Sequence, residues 1–367
     1  MNLEGDLLHT VQPDDISASR KRLGRSLFWG ATALVAIVGG ALVIDDFVVE
    51  LGFTNWRPLL YAYILWAVIL CAVQVIERGE MGKRALFVLP AALFVISMVV
   101  FPLLFGLSIA FSDWNLSSLE GQKFNGFDNV VAMWNDAFYW NALKNMVYYV
   151  AAIAVEYAIA FGLALLLNAD IRARKFFRVA IILPLMLSPV AVSWMVGKSM
   201  MEIRFGPVSH LAKFLGWDQP AFFSDPMIAR LSIMVMDAWT WIPLMVVILL
   251  AGLQAMDKEV QEAAKVDGAN PWQSFWSITF PLMIPVSVTA ILIRIIFKLK
   301  LADIIINVTS GGPGGATDSV TSFIFREYRD RSNVGYGTML AIAYLVLIVV
   351  AITLLLALVN RLTKRPA

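Results

Sequence analysis

Three ionisable side chains stand inside long apolar stretches of this sequence. Glu156 interrupts the run Val-Tyr-Tyr-Val-Ala-Ala-Ile-Ala-Val, Asp237 follows Ser-Ile-Met-Val-Met, and Arg294 follows Thr-Ala-Ile-Leu-Ile. A charge in such surroundings is costly unless it faces a cavity or a partner. For Glu156 two interpretations are open: a cavity or subunit-contact residue, or a helix–helix hydrogen bond made by a protonated or charged carboxyl.

Aromatic residues accompany one of these acids. Asp237, Trp239 and Trp241 lie within five positions of each other. Aromatic faces pack against the C–H surfaces of sugars, while a carboxylate binds their hydroxyls, and binding pockets generally combine apolar walls with a few polar groups. The set therefore predicts a carbohydrate contact. The alternative is an aromatic belt at the membrane interface.

A second polar group follows the apolar stretch that contains Arg294. It includes Lys298, Asp303 and Asn307, and a glycine-rich run begins at Gly311. We expect Arg294 and Asp303 to pair across a water-filled cavity, or one of them to contact solute. The candidate solute path is thus made of Glu156, Asp237, Trp239, Trp241, Arg294, Asp303 and Asn307.

The elements that carry these residues are long and apolar. The 367-residue chain is 59% hydrophobic and only 15% charged, with a mean hydropathy of +0.74. Stretches near 20 residues can cross a bilayer as helices, and the absence of alternating strands argues against a barrel. We predict an all-α polytopic membrane protein with about eight spans: Phe28–Ile44, Pro58–Ile76, Ala85–Phe111, Met146–Leu167, Val179–Val196, Leu231–Met256, Ile278–Phe297 and Thr338–Asn360.

Basic residues indicate the orientation of these spans. They precede span 1, fill the loops between spans 2 and 3 and between spans 4 and 5, and recur in the C-terminal tail, whereas the loop between spans 1 and 2 is acidic. By the positive-inside rule, both termini lie in the cytoplasm. The loop between spans 6 and 7 then also faces the cytoplasm.

Several function classes are disfavoured by what the sequence contains. A net charge of +2 gives no reason to expect nucleic acid, and the single Cys71 with only His9 and His210 provides no metal cluster. The glycine-rich run lacks the Gly-Lys-Ser/Thr ending of a phosphate loop. We therefore expect no metal, no cofactor and no enzymatic activity in this chain.

A polar, small-residue stretch lies between spans 6 and 7, from Glu262 to Pro271. Gly268 can adopt the positive φ that ends one helix, and Asn270-Pro271 suits the start of the next, with Asn270 as N-cap. Two adjacent alanines, Ala263 and Ala264, permit close approach of another backbone. The stretch predicts a helix-turn-helix elbow presented to a partner.

The elbow resembles the cytoplasmic coupling loop of permease subunits of bacterial ABC importers. The matching positions are Glu262, Ala263, Ala264, Gly268, Ile278 and Pro281, with Asp267-Gly268-Ala269 typical of sugar importers and Phe280 in place of the usual Leu. Arg294, Asp303, Thr309, Gly311, Gly312, Pro313 and Thr317 resemble a pattern of maltose-type and polyol-type permeases. The resemblance to the family covers roughly residues 85–367.

The resemblance implies an organisation and a set of partners. It implies a cytoplasmic segment at 1–27, an added helix pair at 28–84 and a six-helix permease core at 85–367, with the coupling loop at about 257–277. It also implies that two such permeases pair around the solute path in a bacterial inner membrane. Two ATP-hydrolysing subunits dock on the coupling loops, and an extracytoplasmic binding protein delivers a sugar.

Other functions stay open at this point. Arg294 and Lys298 suit an anionic solute such as glycerophosphate, carried by an importer of the same kind. A stand-alone secondary transporter would use Glu156 and Asp237 as ion sites. A membrane enzyme is disfavoured because the spans contain no paired-carboxylate motif and almost no His or Cys.

Overall fold

The computed structural model describes residues 17–47, 52–53, 55–119 and 121–363. It divides into two compact units, Met1–Ser108 and Ile109–Ala367. The expected cytoplasmic segment 1–27 lies largely outside the described residues, and its placement stays a prediction.

The first unit is built from two long helices, α1 (Ala18–Phe47) and α2 (Arg57–Ala110), of which α2 continues past its end. Gly79, at φ 53° and ψ −124°, interrupts α2 and separates two apolar stretches, Arg57–Gly79 and Leu86–Ala110. The predicted domain boundary at 84/85 falls just beyond this break, within one helix. A hydrogen bond from Trp66 Nε1 to Thr32 Oγ1, 3.1 Å long, joins α1 to α2.

The second unit is helical apart from a short hairpin. The hairpin pairs β1 (Ser112–Asp113) with β2 (Lys123–Phe124). The helices are α3 (Asp128–Asn135), α4 (Ala137–Asn168), α5 (Arg174–Ile182), α6 (Pro189–Val192), α7 (Pro207–Phe214), α8 (Pro226–Gln254), α9 (Lys258–Val266), α10 (Pro271–Ser274), α11 (Phe280–Leu299), α12 (Asp303–Val308), α13 (Val320–Arg329) and α14 (Val334–Thr363). Short 3₁₀ and π segments link α5 to α6, extend α6 and precede α11.

Seven helices in the described residues are long and apolar enough to cross a membrane, which confirms the polytopic all-α class. The predicted fifth span differs: Arg174–Met186 and Pro189–Met200 meet at a bend of 98°. Pro184 and Pro189 lie on either side of this bend. They favour it because proline removes a helical hydrogen-bond donor and restricts the conformation of the residue before it. The bent pair makes an eighth span only if its two arms are counted as one.

The interior of the second unit is centred on α4 and α8, with α11 packed against both. Two apolar clusters fill it, one around Tyr149 and Ile305 and the other around Ala164 and Leu249. The first turns of α14 are buried, whereas the apolar part that begins at Leu345 is largely exposed, as expected of a face that meets lipid. The three central helices are therefore the elements that position the ionisable side chains.

Candidate functional site

Four buried ionisable side chains meet between α4, α8 and α11. Arg294 Nε donates to Glu156 Oε2 at 2.6 Å, and Lys298 Nζ donates to Glu156 Oε1 at 2.8 Å. Both cations also pair with the carboxylate of Asp237. Each of the four side chains is at most 3% exposed. We call Glu156, Asp237, Arg294 and Lys298 the charge cluster.

Helical spacing explains why these residues converge. Arg294 and Lys298 are four positions apart on α11 and so share one face. Glu156 on α4 and Asp237 on α8 face that same side from the two neighbouring helices. The cluster consequently ties the three central helices together through side chains alone.

The cluster is electrically balanced but not fully hydrogen-bonded. Its two carboxylates match its two cations, which offsets the cost of removing four charges from water. Within the described part of the chain, Arg294 Nη1 is buried without a hydrogen-bond partner. A buried donor of this kind is a position where a polar ligand or water would be stabilised.

An aromatic stack borders the cluster. The rings of Trp241 and Phe297 stack with centroids 4.4 Å apart, and the Arg294 guanidinium lies 5.9 Å from the Trp241 ring. Trp241 is one helical turn after Asp237, so both face the cluster, whereas Trp239 is 40% exposed and points away from them. Of the two predicted aromatic residues, Trp241 therefore borders the charge cluster and Trp239 lies on the surface.

The expected pairing of Arg294 with Asp303 is wrong. Helix α11 ends at Leu299, and Asp303 begins the separate helix α12 as an exposed residue. Asn307 donates to the backbone carbonyl of Asp303 at 2.7 Å, a contact local to α12. Arg294 is instead satisfied by acids from α4 and α8. Of the candidate path residues, only Glu156, Asp237, Arg294 and Trp241 come together.

Lys298 completes the cluster, although from the sequence we expected it only to suit an anionic solute. It is fully buried and contacts both acids. The available signal was its spacing from Arg294: two cations on one face of an apolar helix require acids on the facing helices. Two such acids were present in the sequence.

The elbow between α8 and α11 has the predicted local geometry. Gly268 has φ 79°, its N–H donates to Lys265 O at 3.1 Å, and the Ala269 N–H donates to Ala264 O at 3.0 Å. These two bonds form a Schellman motif that ends α9. Asn270 then caps α10, in a capping box with Gln273 and with Pro271 at the first helical position.

Most of the predicted coupling residues lie on the surface of the elbow. Glu262, Ala263, Asp267 and Gly268 are exposed. Ala264 is buried and Ala269 is half-buried, so these two support the turn rather than present a surface. Val266, which is not among the predicted coupling residues, is 87% exposed and adds an apolar contact point.

The glycine-rich run forms a loop that is fixed by a hydrogen bond from α4. Ser310, Gly311, Gly314 and Gly315 have positive φ, and Asn141 Nδ2 binds the Gly315 carbonyl oxygen at 2.7 Å. These glycines supply turns, as expected from their lack of a side chain.

Asp318 follows the same loop and connects it to α13 through its side chain. Its buried carboxylate pairs with Arg326 and accepts a 3.0 Å hydrogen bond from Ser322 Oγ. Burial raises the pKa of Asp318 to about 6, because the effect of desolvation exceeds the opposing effect of Arg326.

Comparison with known proteins identifies the family. The family model described as "Binding-protein-dependent transport system inner membrane component" matches residues 156–364, more than half of the chain. The match includes the charge cluster, the elbow and the glycine-rich loop. The chain belongs to this family and is a multi-pass permease subunit of an ABC-type transport system.

Individual relatives agree with this assignment. The chain is 31% identical to the sulfoquinovosyl glycerol transport system permease protein SmoG of Agrobacterium fabrum, over 72% of this chain and 86% of the relative. It is 28% identical to the trehalose/maltose permease protein MalF of Thermococcus litoralis, over 72% and 88%. It is 30% identical to the lactose permease protein LacF of Rhizobium radiobacter, over 73% and 90%.

A solved structure has the same fold. The chain is similar to one from a bacterial ABC transporter involved in the import of the acidic polysaccharide alginate, with a TM-score of 0.65 and 20% identity. The similarity covers 84% of this chain and 99% of the other.

Proposed function

We propose that this chain is a transmembrane permease subunit of an ATP-driven carbohydrate importer and forms half of its translocation path. The family assignment supports binding-protein-dependent transport. Relatives named for sulfoquinovosyl glycerol, trehalose/maltose and lactose support a sugar as the solute.

One observation carries the mechanism: the elbow joins the two helices that hold three of the four cluster charges. Helix α8 carries Asp237 and ends at the elbow, and α11 carries Arg294 and Lys298 and begins after it. At 1.5 Å per residue, Asp237 lies about 25 Å along α8 from the elbow. A force on the elbow would therefore act on both sides of the cluster through continuous helical elements.

The family assignment supports a set of partners for this arrangement. A second permease would complete the path, two ATP-hydrolysing subunits would bind the elbows, and an extracytoplasmic binding protein would supply the solute. This requires the elbow and both termini to face the cytoplasm, with the permease core in the inner membrane. The exposed Glu262, Ala263 and Asp267 would contact the ATPase, and closure of the ATPase dimer would bias the core between two states.

The charge cluster and Trp241 would form part of the solute path. Solute hydroxyls can replace hydrogen bonds within the cluster, and the unpartnered Nη1 of Arg294 offers a further donor. Arg294 and Lys298 are already paired with two carboxylates, so they are not free to bind an anionic solute. This disfavours glycerophosphate as the solute. The same pairing occupies Glu156 and Asp237, which disfavours their use as ion sites of a secondary transporter.

The elbow hypothesis is tested by Gly268→Val in the reconstituted importer, with solute uptake and ATP hydrolysis measured together. A β-branched residue at φ 79° is strained, on the order of 1–2 kcal/mol, and should distort the turn. We expect uptake per ATP hydrolysed to fall severalfold while membrane insertion is unchanged.

The matched control is Gly216→Val. Gly216 also has a positive φ, 94°, and a Cβ there would meet no atom within 4 Å, as at Gly268. It lies after α7, away from the elbow in sequence. Equal losses in the two variants, or wild-type uptake per ATP in Gly268→Val, would refute the coupling role.

A further inference from the structure

A cavity separate from the charge cluster lies between α4, α5 and α8. Its volume is about 220 Å³, several times the ~30 Å³ that one water molecule occupies in the liquid. Ile181, Val247 and Leu250 contribute to its apolar walls, and its polar lining residues are Arg178 and Gln254. Gln254 is the last residue of α8, so the cavity is at the elbow end of that helix.

Arg178 is the unusual member of this lining. Its Nε atom is buried and has no hydrogen-bond partner, and its side chain forms no ion pair with a described residue. The nearby Arg174, by contrast, donates to the carbonyl oxygens of Leu167 and Asn168 and pairs with Asp170. A half-buried guanidinium with unused donors beside an apolar cavity calls for an anionic group.

The surroundings have the same character. Arg172 and Lys175 are exposed close by, which makes the start of α5 strongly basic. Phe176 and Val179, each 67% exposed, present apolar surface on the same helix. A ligand that fits must therefore join an anionic head to an apolar body.

We propose that this cavity binds an anionic phospholipid of the bilayer. The phosphate would accept hydrogen bonds from Arg178, with Arg172 and Lys175 adding attraction, and an acyl chain would lie along the apolar walls. Basic pockets between transmembrane helices are recurrent sites for anionic headgroups. A bound lipid would hold α5 against the end of α8 that leads into the elbow.

A protein surface is the competing occupant, namely the second permease. It would have to supply both an acid for Arg178 and apolar side chains. The lipid is favoured because Val247, a lining residue, is 42% exposed on a span of a membrane protein, where acyl chains are the surrounding medium.

The first test is native mass spectrometry of the purified full-length chain. Phosphatidylglycerol and phosphatidylcholine with identical acyl chains are titrated in parallel. One basic residue near an anionic surface changes lipid binding about fivefold, so Arg178→Gln should weaken phosphatidylglycerol retention about fivefold. Arg178→Lys should retain most of it, and phosphatidylcholine binding should not change.

The matched control is Arg84→Gln, the same charge change at an exposed arginine of α2. Equal loss of phosphatidylglycerol in Arg84→Gln and Arg178→Gln would overturn the proposal, because it would indicate nonspecific attraction.

A second test distinguishes lipid from protein without relying on Arg178. A photoreactive benzophenone amino acid replaces Val247 in the full chain, and native membranes are irradiated. A lipid adduct on the chain is the expected product. A protein adduct as the main product would overturn the proposal and assign the cavity to a subunit interface.

Discussion

Breaking the charge cluster at one cation should be strongly destabilising. Lys298→Met removes the bond to Glu156 Oε1, 2.8 Å long, and the pair with Asp237, while methionine keeps most of the side-chain volume. The remaining cluster carries an unbalanced negative charge at a site where each side chain is at most 3% exposed. Removing one partner of a buried ion pair costs about 3–5 kcal/mol, so we expect a loss of that size.

A second substitution that restores the charge balance of the cluster should recover part of the lost stability. Asp237→Asn alone should cost a similar amount, because it leaves an unbalanced positive charge. Asp237→Asn combined with Lys298→Met leaves the balanced pair of Glu156 and Arg294, whose Nε and Oε2 atoms are 2.6 Å apart. The double variant should therefore lose well below the sum of the two single losses, with a coupling energy of up to about 3 kcal/mol.

The assay is equilibrium unfolding of the purified chain in mixed detergent micelles, followed by circular dichroism. Arg329→Met is the control, because Arg329 and Asp330 form an exposed pair at 2.8 Å, which contributes at most about 1 kcal/mol. A loss below about 1 kcal/mol in Lys298→Met, or strict additivity in the double variant, would refute the assignment of these residues to one buried network.

Three further predictions concern other parts of the second unit. A Cβ at Gly335 would lie 2.1 Å from a backbone carbonyl oxygen of β1, so Gly335→Ala should lower stability by about 1–3 kcal/mol. Gly337→Ala, with its nearest contact at 3.7 Å, should shift the melting temperature little, and equal effects would contradict this reasoning.

Burial raises the pKa of Asp318 from 3.8 to about 6. Between these pH values the carboxyl keeps its proton in the native state and loses it in the unfolded chain. The free energy of unfolding should therefore fall by roughly 3 kcal/mol as the pH rises from 3.8 to 6. Asp318→Asn should remove this part of the pH dependence of the melting temperature, and an unchanged dependence would be the contrary result. Trp241→Ala should raise the KM of uptake severalfold and Trp239→Ala should not, and equal KM values would return both residues to an interfacial belt.

Local chemistry is what the sequence predicted well. Seven of the eight predicted spans coincide with described helices that are long and apolar enough to cross a membrane, since hydrocarbon thickness imposes that length. Gly268 and Asn270 have the predicted conformations because a helix end depends on a few adjacent residues. Pro184 and Pro189 favour a bend because each removes a helical donor, but the angle of 98° depends on what the two arms pack against.

Pairing between helices could not be read from the sequence. Arg294 was expected to pair nine positions away, yet its partners are 138 and 57 positions away. Sequence distance is a poor guide once helices pack side by side, since neighbours are then set by interhelical contacts. Requiring every buried charge to have an opposite one would have narrowed the choice to the acids of α4 and α8.

The position of prolines relative to the cluster bears on how the elbow could move it. Pro243 in α8 and Pro285 in α11 both lie between the elbow and the charged residues of their own helix. Each proline removes one helical hydrogen bond, which lowers the resistance to bending at that point.

Displacement of the elbow can then tilt the segment next to it while the four ion pairs hold the far segments in register. Bending should precede opening of the cluster, because breaking its pairs costs several kcal/mol, whereas the hydrogen bond that would resist bending at each proline is already absent. Under the proposed function, solute that competes for those pairs would lower the second barrier and would link solute occupancy to the response of the core to ATP.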